Sequence, residues 1–151
     1  MISQDRLPNG RILLDGMGFT LERLQTGSKA AVSLPVIRAI LCIAAASLPF
    51  DREFYLSTYP DIRKAYESGK IKDLTTHFIE FGYFEGRMGA QPEFDEGFYL
   101  ATYPDVAAAL EKGAVASALE HYISSGSFEG RHANALAMET NKRWSELLRP
   151  A

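Results

Sequence analysis

A single cysteine, Cys42, in 151 residues excludes an intrachain disulfide and points to a chain that folds on its core alone in a reducing compartment. A dense basic run is missing too. The 16 Lys and Arg are scattered from Arg6 to Arg149 and are outnumbered by 19 Asp and Glu, for a formal charge of −3. Nucleic acid is therefore not an expected partner, because phosphate binding draws most of its affinity from clustered cations. Long apolar runs are lacking as well: the stretch from Ala30 to Phe50 is broken by Pro35, Arg38 and Pro49. Only Ala39 to Leu48 is free of charge and proline, far short of the roughly 20 residues a bilayer requires, so no membrane insertion is expected. The start, Met1-Ile2-Ser3-Gln4-Asp5-Arg6, lacks the basic n-region and apolar h-region of a secretory signal, and ordinary export is not expected.

Several chemistries find no footing. There is no G-x-x-x-x-G-K-[ST], no G-x-S-x-G, no H-E-x-x-H and no D-x-[DN]-x-[DN]-G loop. The reading is of a chain with no cofactor, no metal and no catalytic residues. With 46% hydrophobic and 23% charged residues, the composition is that of an ordinary globular protein.

What the chain does have is a duplication. Residues 50–87 recur at 94–131, offset by 44 positions without insertion or deletion, and 19 of the 38 aligned pairs are identical. Two copies of one unit imply two similar folded modules. The retained residues run from Phe50-Asp51 through Phe54-Tyr55-Leu56, Thr58-Tyr59-Pro60-Asp61, Gly69, His77 and Gly82 to Phe84-Glu85-Gly86-Arg87, and from Phe94-Asp95 to Phe128-Glu129-Gly130-Arg131.

Each repeat reads as three short helices. Asp51 and Asp95 cap the first, which ends near Tyr59 or Tyr103 because a following proline disfavours the α conformation. The second starts at Pro60-Asp61 or Pro104-Asp105 and stops at Gly69 or Gly113, each suited to the left-handed C′ position. The third begins near Asp73 or Ser117 and ends at Gly82 or Gly126, and a Glu-Gly-Arg turn closes the unit. Such helices are too short to persist singly, so packing must hold them. Fifteen of the 17 aromatic residues lie between Phe50 and Phe128. At roughly 25 cal/mol per Å² and about 150–250 Å² per ring, they supply much of the drive to fold. Phe54, Phe78, Phe84, Phe98, Tyr122 and Phe128 are the expected core.

Before the repeats, Pro8-Asn9-Gly10, the strand-like Arg11 to Asp15 and the turn at Gly16-Met17-Gly18 predict a β-hairpin, with Leu13, Phe19 and Leu21 as its covered residues. Ser33 then caps a helix running to about Ser47, with Pro35 in its first turn and Ile37, Ile40, Leu41 and Ala44 along its apolar face. A last amphipathic helix, Ala135 to Leu148, carries Trp144. The expected fold is mainly α: an N-terminal hairpin and helix over residues 1–48 serving assembly, repeats at 49–90 and 91–133, and a C-terminal helix at 134–151. Exposed hairpin edges and Trp144 with Leu147 and Leu148 make homo-oligomerisation the expectation.

Candidate ligand residues come from the repeated turns. Arg87 and Arg131 stand two residues from Glu85 and Glu129 and beside a ring, a trio able to bind saccharide hydroxyls, and Tyr59 and Tyr103 of the Tyr-Pro-Asp segments are further ligand candidates. The bland account of the same residues is turn and cap chemistry. His77 and His121, eight residues before those glutamates, are the pair a saccharide-active enzyme would use. Their structural alternative is a hydrogen bond across short helices.

The pattern Phe-Asp-x-x-Phe-Tyr-Leu-x-x-Tyr-Pro-Asp, followed by Gly, His, Gly and Glu-Gly-Arg, resembles a short bacterial repeat of surface-associated, polysaccharide-related and some glycosyltransferase proteins. That resemblance covers about half of the chain and implies a helical accessory or interaction module, such as one serving exopolysaccharide synthesis. In the first copy Leu74-Thr75-Thr76 departs from the Ala-Leu-Glu found at Ala118-Leu119-Glu120. Taken whole, the chain is similar to the head-spike base proteins of phage-like gene transfer agents. This implies a ring of identical subunits between capsid and fibre proteins, near cell-surface polysaccharide, assembled in the bacterial cytoplasm and carried out on a virion-like particle.

Overall fold

The structure is a computed structural model that describes residues 8–27 and 29–149. The chain is mainly helical, and no strand occurs among the described residues. It divides into two compact units, Met1–Ala90 and Gln91–Ala151.

The N-terminal hairpin is not there. Helix α1 (Gly10–Met17) takes its place, with Asn9 Oδ1 accepting from Arg11 N at 3.0 Å. The Gly-Met-Gly segment that suggests a strand reversal is instead a helix stop. Gly18 adopts φ 72°, and its N–H and that of Phe19 donate to the carbonyls of Asp15 and Leu14 at 3.1 and 2.9 Å, the paired bonds of a Schellman ending. Thr20 then caps α2 (Leu21–Thr26) through Arg23 N at 3.1 Å. Proline, asparagine and glycine serve helix ends as readily as hairpin turns, and here local capping decides. Leu13 is half-buried on α1, Phe19 is half-buried between the two helices and Leu21 is exposed at the start of α2, so among the described residues there is no sheet edge to pair.

Helix α3 (Leu34–Ala46) forms where the periodicity places it, with Pro35 in its first turn, although the Ser33 side chain makes no cap hydrogen bond. The face turned inward is not the expected one. Ala45 is buried, Cys42 and Ile43 are half-buried, and Arg38 Nη2 donates to Glu80 O at 3.3 Å, so this side packs on the end of the first repeat. Ile37, Ile40, Leu41 and Ala44 are left in solvent.

In the first repeat, α4 (Arg52–Thr58) and α5 (Pro60–Glu67) meet at Tyr59-Pro60, and α6 (Leu74–His77) continues without a break into a π-helical turn, Phe78–Gly82. Asp51 and Asp73 cap α4 and α6 through Phe54 N and Thr76 N at 2.9 and 2.6 Å. Gly69, at φ 75°, ends α5 as its place in the sequence predicts. The core is Tyr55, Ile62, Leu74 and Phe78.

The second unit repeats this with α7 (Glu96–Thr102), α8 (Pro104–Glu111) and α9 (Ala118–His121), the last running into the π-turn Tyr122–Gly126. Its core is Tyr99, Val106 and Ala118. Helix α10 (Ala135–Leu147) follows, tied down by Asn134, whose Oδ1 accepts from Ala137 N and whose Nδ2 donates to Glu93 O at 2.8 and 2.7 Å.

Each repeat closes head to tail. Asp51 N donates to Gly89 O at 2.8 Å, and Asp95 N to Ala133 O at 2.9 Å.

The expected aromatic core needs revision. Phe78 is buried, but Phe54, Phe98 and Tyr122 are half-buried, and Phe84 and Phe128 are exposed. Phe84 and Phe128 lie beyond the π-turn, in the closing Glu-Gly-Arg loop, where the chain has left the core.

Candidate functional site

Two sets of repeated side chains converge within each unit. The first is built on Tyr55 and His77. Tyr55 is wholly buried, with its hydroxyl 3.1 Å from His77 Nδ1, and Tyr99 and His121 repeat the pair at 3.0 Å. Gly82 and Gly126 complete the arrangement: a Cβ at either would overlap the tyrosine hydroxyl. Burial pushes the phenols of Tyr55 and Tyr99 up to about 12, and burial holds the His77 imidazole below its usual value. The Tyr55–His77 contact is therefore a neutral hydrogen bond inside the fold.

The second set joins the Tyr-Pro-Asp and Glu-Gly-Arg segments. Arg87 lies over the Tyr59 ring at 4.9 Å, donates from Nη1 and Nη2 to the Asp61 carboxylate at 3.2 and 2.8 Å, and from Nε to Glu85 at 2.7 Å. Arg131 does the same with Tyr103 at 5.0 Å, Asp105 at 2.9 and 2.7 Å, and Glu129 at 2.6 Å. Each tyrosine hydroxyl accepts a backbone N–H, from Met88 at 2.7 Å and from His132 at 2.9 Å. Gly86 and Gly130, at φ 77° and 75°, let the turn bring the arginine back.

The electrostatics follow. The Arg87 hydrogen bond holds the Asp61 carboxyl below the usual range, and the Arg131 hydrogen bond brings Asp105 to about 2. Burial works against the Arg87 charge, but its hydrogen bonds to Glu85 and Asp61 outweigh it and raise the guanidinium above its ordinary value. A stacked, bidentate arginine is among the more rigid arrangements a protein surface offers.

The four candidate saccharide residues are thus brought together in pairs, Tyr59 with Arg87 and Tyr103 with Arg131, as latches whose polar atoms meet within the fold. The histidines face tyrosines, while Glu85 and Glu129 face arginines. Among the described residues no three His, Cys, Asp or Glu side chains gather as a metal-binding group. The histidine hydrogen bond across short helices is as expected, but its tyrosine partner escapes the sequence reading because tyrosine is ordinarily half-exposed. A signal was present: Tyr, His and Gly are retained together at equal separations in both copies.

The remaining candidate surface is apolar. On α3, Leu34, Ile37, Ile40 and Leu41 form an exposed ridge, with Leu34 77% accessible, and Leu48 is exposed just beyond the helix. On α10, Trp144 is 55% exposed, beside Leu147 and Leu148 at the helix end. Comparison with family models, with curated proteins and with solved structures gives no match.

Proposed function

We propose that this chain is a non-catalytic structural adaptor that works as a homo-oligomer, the base of a head spike on a phage-like particle, joining capsid to a fibre that reaches cell-surface polysaccharide. The observation that carries the oligomeric part is the α3 ridge. A 13-residue helix places Ile37, Ile40, Leu41 and Ala44 at the spacing of one face and turns that face to solvent. Contiguous apolar surface of this kind marks an association site in a soluble protein. A second copy of the chain is the occupant proposed here, and a closed ring satisfies every ridge at once. The head-spike role itself rests on the likeness of the chain's size and paired repeats to such base proteins. In that role the latches and Tyr–His pairs keep two small modules rigid, so that they transmit a fixed geometry to whatever they carry.

Light scattering coupled to size-exclusion chromatography tests the assembly. At micromolar concentration the wild-type chain is expected to elute as a discrete oligomer, and the Ile40→Glu, Leu41→Glu double variant as a folded monomer. A wild-type monomer that stays monomeric when mixed with its particle's capsid and fibre components would defeat the proposal.

A further inference from the structure

The two repeats share one scaffold but differ at 19 of 38 aligned positions, and in the first repeat several of the differing positions gather around one open cleft. It encloses about 260 Å³, and its lining includes Phe50, Arg52, Tyr66, Lys72, Asp73 and Thr75. Arg52 lies 5.1 Å over the Tyr66 ring and donates from Nη2 to the Tyr66 hydroxyl at 3.0 Å, which holds the guanidinium at the cleft. Among the described residues neither Arg52 nor Lys72 forms an ion pair. In the second copy Arg52 is replaced by Glu96, Tyr66 by Leu110, Lys72 by Ala116, Asp73 by Ser117 and Thr75 by Leu119. The chemistry of the cleft is thus confined to one repeat.

We infer that this cleft binds a carboxylate-bearing sugar, one uronate residue of an acidic saccharide. Two cations and one carboxylate give the site a net single positive charge, which matches one sugar carboxylate. The Asp73 carboxyl, held below the usual range by its hydrogen bonds to Thr76, stays ionised at neutral pH. It repels a phosphate dianion but accepts hydrogen bonds from sugar hydroxyls. The lining is chiefly polar, as the hydroxyls of a sugar require, and Arg52, held on the Tyr66 ring, supplies directed donors to the acid group. The volume lies below the about 300–1,000 Å³ of sites for larger ligands, so the cleft takes one ring at a time. This assignment is independent of assembly: it holds for a monomer or a ring.

Titration calorimetry with trigalacturonate on the full-length chain tests it at low ionic strength, whatever the oligomeric state. One trisaccharide per chain is expected. Arg52→Glu and Tyr66→Leu, which install the second copy's residues, and Lys72→Ala are each expected to weaken binding roughly tenfold or more, the scale of one lost charge-assisted hydrogen bond. Glu96→Gln, at the equivalent place in the second repeat, leaves it unchanged, and melting curves confirm that every variant is folded. The inference is overturned by an absence of heat with trigalacturonate, by equal binding of a neutral trisaccharide, by tighter binding of inorganic phosphate, by two sites per chain, or by affinity that ignores all three cleft substitutions.

Discussion

The wholly buried Tyr55 hydroxyl meets the half-buried His77 at Nδ1, 3.1 Å away, within the first repeat. Replacing Tyr55 by Phe preserves the ring packing and strips the imidazole of its partner. The expected loss is about 1–2 kcal/mol of stability, read as a lower urea midpoint with an unchanged slope. In the wild type the Tyr55 and Tyr99 phenols should ionise only near pH 12, visible in the ultraviolet phenolate band.

Gly82→Ala tests the close approach of the same hydroxyl to the π-turn. Alanine would favour an ordinary helix position by up to about 1 kcal/mol, but here its methyl overlaps Tyr55, and a net destabilisation of about 1–3 kcal/mol is expected. Combining it with Tyr55→Phe removes the obstructing oxygen. The double variant should be less damaged than the sum of the two singles, a coupling measurable by denaturation.

Stability should also follow the charge state of His77. Burial lowers its proton affinity in the fold, whereas the unfolded chain takes up that proton near pH 6.5. The contribution is therefore complete above pH 6.5 and is lost as pH falls from there through the lower folded value. Its slope is at most about 1.4 kcal/mol per pH unit, the limit for one proton. Denaturation at pH 7.5 and 5.5 measures it, and a His77→Gln chain should show a smaller difference between the two. The Asp61 and Asp105 carboxylates act in a separate window: their depressed values make their contribution present above about pH 3.9 and lost below it.

Arg87→Lys keeps a positive charge and discards the fork. Lysine cannot meet Asp61 with two parallel bonds while stacking on Tyr59 and reaching Glu85. A loss of about 1–2 kcal/mol is expected, and a Tm that the charge-preserving substitution fails to lower would contradict the latch.

Ser127 offers a change of the opposite sign. Its Oγ is buried without a hydrogen-bond partner among the described residues, at the position where the first copy has Tyr83. Ser127→Ala should raise stability by about 1 kcal/mol, seen as a higher Tm.

The parts of this fold that were legible in the sequence are those governed by local chemistry. Asp51, Asp95 and Asp73 cap helices where they stand, Gly69 and Gly113 end them, and the final helix begins at Ala135. Leu13 and Phe19 were misread because Gly18 can end a helix or turn a strand, and only the bonds to Asp15 and Leu14 distinguish the two. Residues with two apolar sides deceive in another way. Helix α3 has Ile37, Ile40 and Leu41 on one side and small residues such as Cys42 and Ala45 on the other, and the small side allows the closer approach to the first repeat. The candidate site was half visible. The sequence brings out Tyr59 and Arg87 as retained residues, but their mutual geometry depends on a contact across 28 residues. The cleft at Arg52 and Lys72 lies at positions the duplication does not keep, so attention to identity alone passes over it.

The single backbone bond from Asp51 to Gly89, echoed from Asp95 to Ala133, brings the entrance and exit of each repeat side by side. A segment whose ends meet behaves as a bead on a string: one more can be threaded in, or one dropped, without redrawing the interior of any other. Copying such a segment is therefore an inexpensive evolutionary step, and afterwards one bead is free to acquire a new surface while its twin preserves the original frame.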